Sequence, residues 1–223
     1  TKLGVDCGKA LSSCHGNGMP ITEPSMTDPS VLASLKPGED LWVFGYGSLM
    51  WNPGFEFEEQ CDAVLNGFHR SFCLYSHHYR GTFDNPGLVL GLDQGGDCRG
   101  SAFRIAAHMV RDVVAYLNER ELVSYDYLPR YLDITITQGG TEAQVRSYTF
   151  IADTVSEQYA GGLNVDQKAS LIMNAQGIAG LNRDYLINTV RHMDDTGFGD
   201  PDLLALLDQV ERLTGMIDMG GGI

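Results

Sequence analysis

The order of elements read along this chain predicts an α+β protein. Strands come first, then one helix, then strands, then helices, with no regular βαβ alternation, so a doubly wound parallel sheet is not expected. Strand-like stretches are punctuated by glycine turns, as in "QGGT" between two alternating segments. From about Asn164 the apolar spacing becomes helical. The 223 residues are 43% hydrophobic and 20% charged, enough apolar material for one sizeable core.

Residues 1–40 read as an extension dominated by glycine, proline, serine and threonine, as in "GKALSSCHGNGMPITEPSMT". Within it "TDPSVLASLKPGED" predicts a short helix, with Asp28 as N-cap, Pro29 at the first helical position and Pro37-Gly38 as the stop. A domain is expected over 41–215 and a loose tail over 216–223. "LWVFGY" reads as a strand, and "DAVLNGFHRSFCLYS" as a strand bent at Gly67. "HHYRGTFDNPG" reads as a loop, and "LVLGLDQGGDCRGSAFRI" as two strands joined by a Gly-rich hairpin. "AAHMVRDVVAYLNERE" is an amphipathic helix, "YLDITITQGGTEAQVRSYTFIAD" a hairpin turning at Gly139-Gly140. Helices follow in "DQKASLIMNAQG", "NRDYLINTVRHMDDTG" and "PDLLALLDQVERL".

Net charge is −14 and the isoelectric point about 4.6, which disfavours nucleic acid and anionic membranes as partners. No apolar run is long enough to span a membrane, and the first residues lack a signal-peptide pattern. The five cysteines, Cys7, Cys14, Cys61, Cys73 and Cys98, show no CxxC spacing. That argues against a zinc site and a disulfide framework, and for a reducing, cytoplasmic location. His77-His78 lack a third ligand and read as loop residues rather than a metal site.

Two stretches carry chemistry. In "LWVFGYGSLMWNP" a buried strand runs into two glycines, a tyrosine and a serine, a pattern that fits either close backbone approach to a ligand or a sharp turn. Met50 stands where a dinucleotide fingerprint needs its third glycine, and no GK[ST] follows. Ser48 lacks the GxSxG context of a nucleophile elbow. In the helix, Val110, Val114 and Leu117 follow i, i+4, i+7, and Glu121 comes next on that line, within roughly 60° of arc. A carboxylate on an apolar stripe is either turned to solvent or arginine-paired at the helix end, or buried with a raised pKa, as a general acid/base requires. Glu119 and Arg120 are expected on the solvated side.

Taken together, "VFGYGSLMWNP", Arg80-Gly81, "YLNERE", "YLPRY" and "GLNRDYL" resemble the ChaC family of γ-glutamylcyclotransferases, over roughly residues 41–200. The resemblance implies a small mixed β-barrel surrounded by helices. It also implies an intramolecular aminolysis, in which the α-amine of a γ-glutamyl group attacks its own γ-carbonyl, with glutathione as the usual substrate and no cofactor or metal. Glu121 falls on the family's general acid/base. Tyr46, Gly47, Ser48 and Leu49 match the loop that cups the γ-glutamyl group, with backbone N–H groups able to hold a carboxylate or oxyanion. Arg80 and Tyr127 match substrate-binding positions, Tyr125 being the rival to Tyr127. The alternatives are a cyclotransferase for γ-glutamyl amino acids or amines, a hydrolase, and a non-catalytic binding protein linked to cation transport. Oligomeric state is not legible.

Overall fold

The computed structural model describes residues 29–122 and 126–220. Its centre is a closed barrel in the order β1-β3-β2-β4-β5, formed by β1 (Leu41–Gly45), β2 (Glu59–Ser76), β3 (Gly87–Ile105), β4 (Tyr127–Gln138) and β5 (Thr141–Ala152). All pairings are antiparallel except the closing one, where β1 lies parallel to β5 at Trp42↔Ser147 and Val43↔Tyr148. A short helix, α1 (Pro29–Ser34), precedes the barrel, and α2 (Val110–Glu121) separates its strands into two groups. Then come α3 (Val165–Asn174), the two-residue strands β6 (Gln176–Gly177) and β7 (Gly180–Leu181), α4 (Asn182–Asp195) and α5 (Pro201–Gly220). The described part of helix α1 runs over Pro29–Ser34, within the short helix expected there; its expected cap, Asp28, lies outside the described residues. Helix α5 continues through Gly220, into the stretch expected as a tail.

The predicted Gly-rich hairpin inside residues 88–105 is not there. The segment is one long strand, β3, paired with β2 along almost its whole length. Gly95 (φ 97°) and Gly96 (φ 68°) form a kink opposite Gly67 (φ 85°), where the register shifts. A Gly-Gly pair supplies the left-handed backbone that either a hairpin or a bulge needs. The partner decides: β2 is nearly as long as β3 and bends at the same level, so the ladder resumes beyond the kink.

Two faces of the barrel are covered by helices. Leu41, Val43, Phe103, Ile105, Tyr148 and Phe150 pack under Val110, Val113, Val114 and Leu117 of α2. Phe44, Leu65, Phe72, Leu88 and Ile136 belong to the larger cluster roofed by α3, α4 and α5 through Ala169, Ile172, Leu186, Val190, Leu203 and Leu206. Each fully buried side chain of this kind contributes about 1.5–3 kcal/mol. Helix α3 opens with a reciprocal cap: Asn164 Oδ1 accepts from Gln167 N–H at 3.0 Å and Gln167 Oε1 accepts from Asn164 N–H at 2.9 Å. Among the described residues Cys61, Cys73 and Cys98 are free thiols, and burial pushes Cys73 up to about 12. No helix among them is long and apolar enough to cross a membrane.

Candidate active site

One cleft, with a cavity volume of about 70 Å³, opens where β1 ends. It is lined by Tyr46, Gly47, Ser48 and Leu49 from the glycine turn, Glu121 from the end of α2, and Tyr127 from the start of β4. Leu90 of β3, Phe150 of β5 and Tyr185 of α4 complete it. Six residues predicted from the sequence therefore meet in one place.

The turn leaves the barrel as a single 3₁₀ turn over Ser48–Met50, closed by Met50 N–H donating to Gly47 C=O at 2.9 Å. The amides that open such a turn lie ahead of its first internal bond and are free to serve a ligand. Trp51, just after the turn, stacks on His192 of α4 with ring centroids 4.5 Å apart. Arg120 fastens the same segment to α2. Its guanidinium donates to Ser48 Oγ (2.8 Å), Asn52 C=O (2.8 Å), Pro53 C=O (3.2 Å) and Tyr116 Oη (3.1 Å). Gly54 permits this approach, since a Cβ there would lie 2.0 Å from the Tyr116 hydroxyl. Arg120 is thus not the solvated residue the helix spacing suggested; its side chain is 21% exposed. Arg120 does lie off the apolar stripe, but the segment 48–53 folds back over that side of the helix and consumes the guanidinium.

Glu121 ends the apolar stripe of α2 with its side chain 22% exposed, facing the cleft, and Arg120 Nε is 3.1 Å from its Oε1. Burial raises its pKa, and the Arg120 charge opposes the rise without cancelling it. The carboxylate also stands at the C-terminal end of a helix, where the dipole disfavours negative charge. The two outcomes left open by spacing are both partly realised: an arginine pair, yet a carboxyl inclined to hold its proton.

The opposite wall is aromatic. Strand β1 stops at Gly45, opposite Ser101, so β3 has an unpaired edge further back along its length. Side chains occupy that edge. Leu88 N–H donates to Asn182 Oδ1 and Asn182 Nδ2–H donates to Leu88 C=O, each at 2.7 Å. Tyr127 Oη–H donates to Leu90 C=O at 2.6 Å, and the Tyr185 hydroxyl takes a hydrogen bond from the Leu90 backbone. Backbone groups of a buried edge need partners, and satisfying them fixes both rings over the cleft. Burial raises the pKa of Tyr46, Tyr127 and Tyr185, so all three are neutral hydroxyls near pH 7.

Arg80 is not among the lining residues. Its guanidinium lies 4.9 Å from the Tyr185 ring centroid and donates to the Ala179 carbonyl. It therefore backs the aromatic wall. Tyr125 lies outside the described residues. Sequence reading missed Tyr185, although "GLNRDYL" contains it three residues after Asn182; the segment carried the clue, and the role of each of its members did not follow. Leu90 and Phe150 gave no clue beyond strand apolarity. His77 stacks on Phe83 in the loop, with ring centroids 4.8 Å apart. No group of three His, Cys, Asp or Glu suited to a metal ion occurs among the described residues.

The ChaC-like protein family model matches residues 41–213. The glutathione-specific γ-glutamylcyclotransferase of Escherichia coli (strain K12) is 32% identical over 212 residues, covering 95% of this chain and 90% of that protein. That span reaches into residues 1–40, further than the motifs alone suggested. The γ-glutamylcyclotransferase 2-3 of Arabidopsis thaliana is 35% identical over 180 residues, covering 78% and 89% of the two chains. The crystal structure of a yeast γ-glutamyl cyclotransferase specific to glutathione superposes with a TM-score of 0.68 at 22% identity, covering 78% of this chain and 99% of that one; it speaks to the fold. With a family match across its barrel and helices and relatives above 30% identity over most of its length, the chain belongs to the ChaC-like protein family.

Proposed function

We propose that this protein is a γ-glutamylcyclotransferase that converts glutathione to 5-oxoproline and cysteinylglycine in the domain over residues 41–215. The observation that carries the reading is the meeting of Glu121, a carboxyl raised by burial, with the amide-bearing turn 47–49 in one cleft. The names of the Escherichia coli and yeast relatives supply the substrate.

The attacking and attacked groups belong to one molecule, so the site must fold the γ-glutamyl group and hold it in a near-attack shape. The turn and the aromatic wall do this from opposite sides. Glu121 removes a proton from the α-ammonium. The amine nitrogen then bonds to the γ-carbonyl carbon, closing the five-membered ring. The carbonyl oxygen gains charge, and the N–H groups of Gly47, Ser48 and Leu49 hold that charge or the α-carboxylate. As the oxygen returns to a carbonyl, the bond to the cysteine nitrogen breaks, and Glu121 gives that nitrogen its proton. The ring nitrogen then loses its second proton through the freed carboxylate to the departing amine, which leaves as an ammonium while the lactam keeps a single N–H. A carboxyl of raised pKa suits both halves of this exchange. Backbone donors suit an anionic substrate on a protein of net charge −14. Arg80 supports binding by holding Tyr185, and Tyr127 lines the substrate's path. Free thiols at Cys61, Cys73 and Cys98 suit a reducing, cytoplasmic setting.

The test is incubation of the purified protein with glutathione, without added metal, followed by mass spectrometry for both products. Their formation by the wild type and not by Glu121→Gln supports the reading. Glutamate in place of 5-oxoproline means hydrolysis instead. Turnover of other γ-glutamyl amino acids or amines, with glutathione untouched, moves the assignment to the broader class, and inertness toward all of them favours a binding protein.

A further inference from the structure

Beneath the glycine turn lies a buried arginine that the chemistry above does not use. Arg70 of β2 has a side chain 3% exposed. Its Nε donates to the Tyr46 carbonyl at 2.6 Å, one terminal nitrogen to the Arg99 carbonyl, and the other to Asp200 Oδ2 at 2.9 Å. Asp200 is fixed in its turn, its Oδ1 accepting from the N–H groups of Asp202 (3.1 Å) and Leu203 (3.2 Å) at the start of α5. A buried arginine could serve stability alone. The acceptor it chooses points elsewhere, because the Tyr46 carbonyl belongs to the same peptide unit as the Gly47 N–H.

A trans peptide unit is planar, with its C=O and N–H on opposite sides. Holding the oxygen against Arg70, under the turn, turns the Gly47 N–H the other way, and Gly47 lines the cleft. We propose that Arg70, locked by Asp200, is a positioning residue that aims the Gly47 N–H into the cleft as a donor to the oxyanion formed on the γ-carbonyl. The inference rests on the cyclotransferase reading for the identity of the oxyanion, while the peptide orientation stands on its own. The planar fork of arginine reaches three acceptors at once; lysine offers one point of charge and cannot replace it.

The test compares wild type, Arg70→Lys and Asp200→Asn by glutathione turnover and by residual dipolar couplings of the Gly47 amide in ¹⁵N-labelled protein. In folded Arg70→Lys, kcat falls by about 10²-fold, the scale of losing one oxyanion donor, with KM changed by less than about 3-fold. The Gly47 coupling changes while that of Val43, in the strand core, does not. Asp200→Asn keeps the guanidinium and loosens it, so kcat falls by about 3- to 10-fold with a smaller change at Gly47. A folded Arg70→Lys with wild-type kcat, or with an unchanged Gly47 coupling, overturns the proposal. Should Arg70→Lys not fold, an unchanged Gly47 coupling and kcat in Asp200→Asn overturn it. If the wild type leaves glutathione intact, the cyclotransferase reading fails, and the couplings still decide whether Arg70 orients the peptide.

Discussion

Asp40 and Glu121 are both carboxylates beside an arginine, and they titrate in opposite directions. Asp40, just before β1, accepts from Arg104 at 2.7 Å and from the Ala107 N–H at 2.9 Å, with a side chain 38% exposed. The Arg104 hydrogen bond is the largest cause holding it below the usual carboxylate range. Glu121 lies 3.1 Å from Arg120, yet burial keeps its pKa raised. The difference lies in what else each arginine serves. Arg104 gives its donors to two carboxylates, Asp40 and Glu59. Arg120 spends its donors on Ser48, two carbonyls and Tyr116 as well as on Glu121. An arginine in contact with a carboxylate does not guarantee a strong acid; it must have hydrogen bonds left to give, and the site must be wet enough not to penalise the charge.

Substitution at the two carboxylates should separate them most sharply. Glu121→Gln keeps the shape and loses the proton acceptor, so kcat should fall by about 10³-fold or more. Because the raised pKa of Glu121 means that ionising it disfavours the fold, its favourable contribution is complete below its unfolded pKa and is lost as pH rises through the folded value. The same variant should therefore melt no lower than wild type at pH 8, and comparison of its thermal midpoints at pH 5 and 8 checks the sign. A clear fall in stability at pH 8 would mean that the ionised pair with Arg120 supports the fold.

Arg120→Gln removes the opposing charge and the tether of the turn together. Turnover should drop by about 10- to 100-fold, and the acid limb of the kcat/KM profile should move to higher pH, because Glu121 loses its nearby cation. A limb that stays in place would make Arg120 a purely mechanical tether. Arg80→Ala leaves the cleft lining intact while loosening Tyr185, so KM should rise by about 3- to 10-fold with kcat changed less. An equal fall in kcat at constant KM would place Arg80 in the chemistry. Asp40→Asn should change turnover least of all. Its lowered pKa supplies stability that is present above the unfolded value near 3.8 and lost as pH falls through the folded one. The variant should therefore melt no more than about 2 °C lower at pH 7, since exposed pairs contribute little, and the gap should close as pH falls through the lowered folded value.

The sequence by itself determined most of the elements, and with them six of the nine residues that line the cleft. The 3.6-residue period put Glu121 on the buried line of α2, and the composition of "FGYGSL" marked a strand running into a tight, amide-rich turn. These are local properties, carried by spacing and by residues with unusual backbone freedom. Tertiary structure decided the rest, because the deciding partner was distant in sequence each time. Gly95-Gly96 is a kink and not a hairpin because β2 runs alongside and bends with it. Arg120 leaves solvent because the segment 48–53 folds over it. Tyr185 reaches the cleft because Asn182 docks on the unpaired edge of β3. Arg70 meets the Tyr46 carbonyl and Asp200 only when the barrel has closed and α5 has packed against it. Periodicity encodes which face of an element is buried; which groups meet on that face is set by packing between elements, and no local pattern records it.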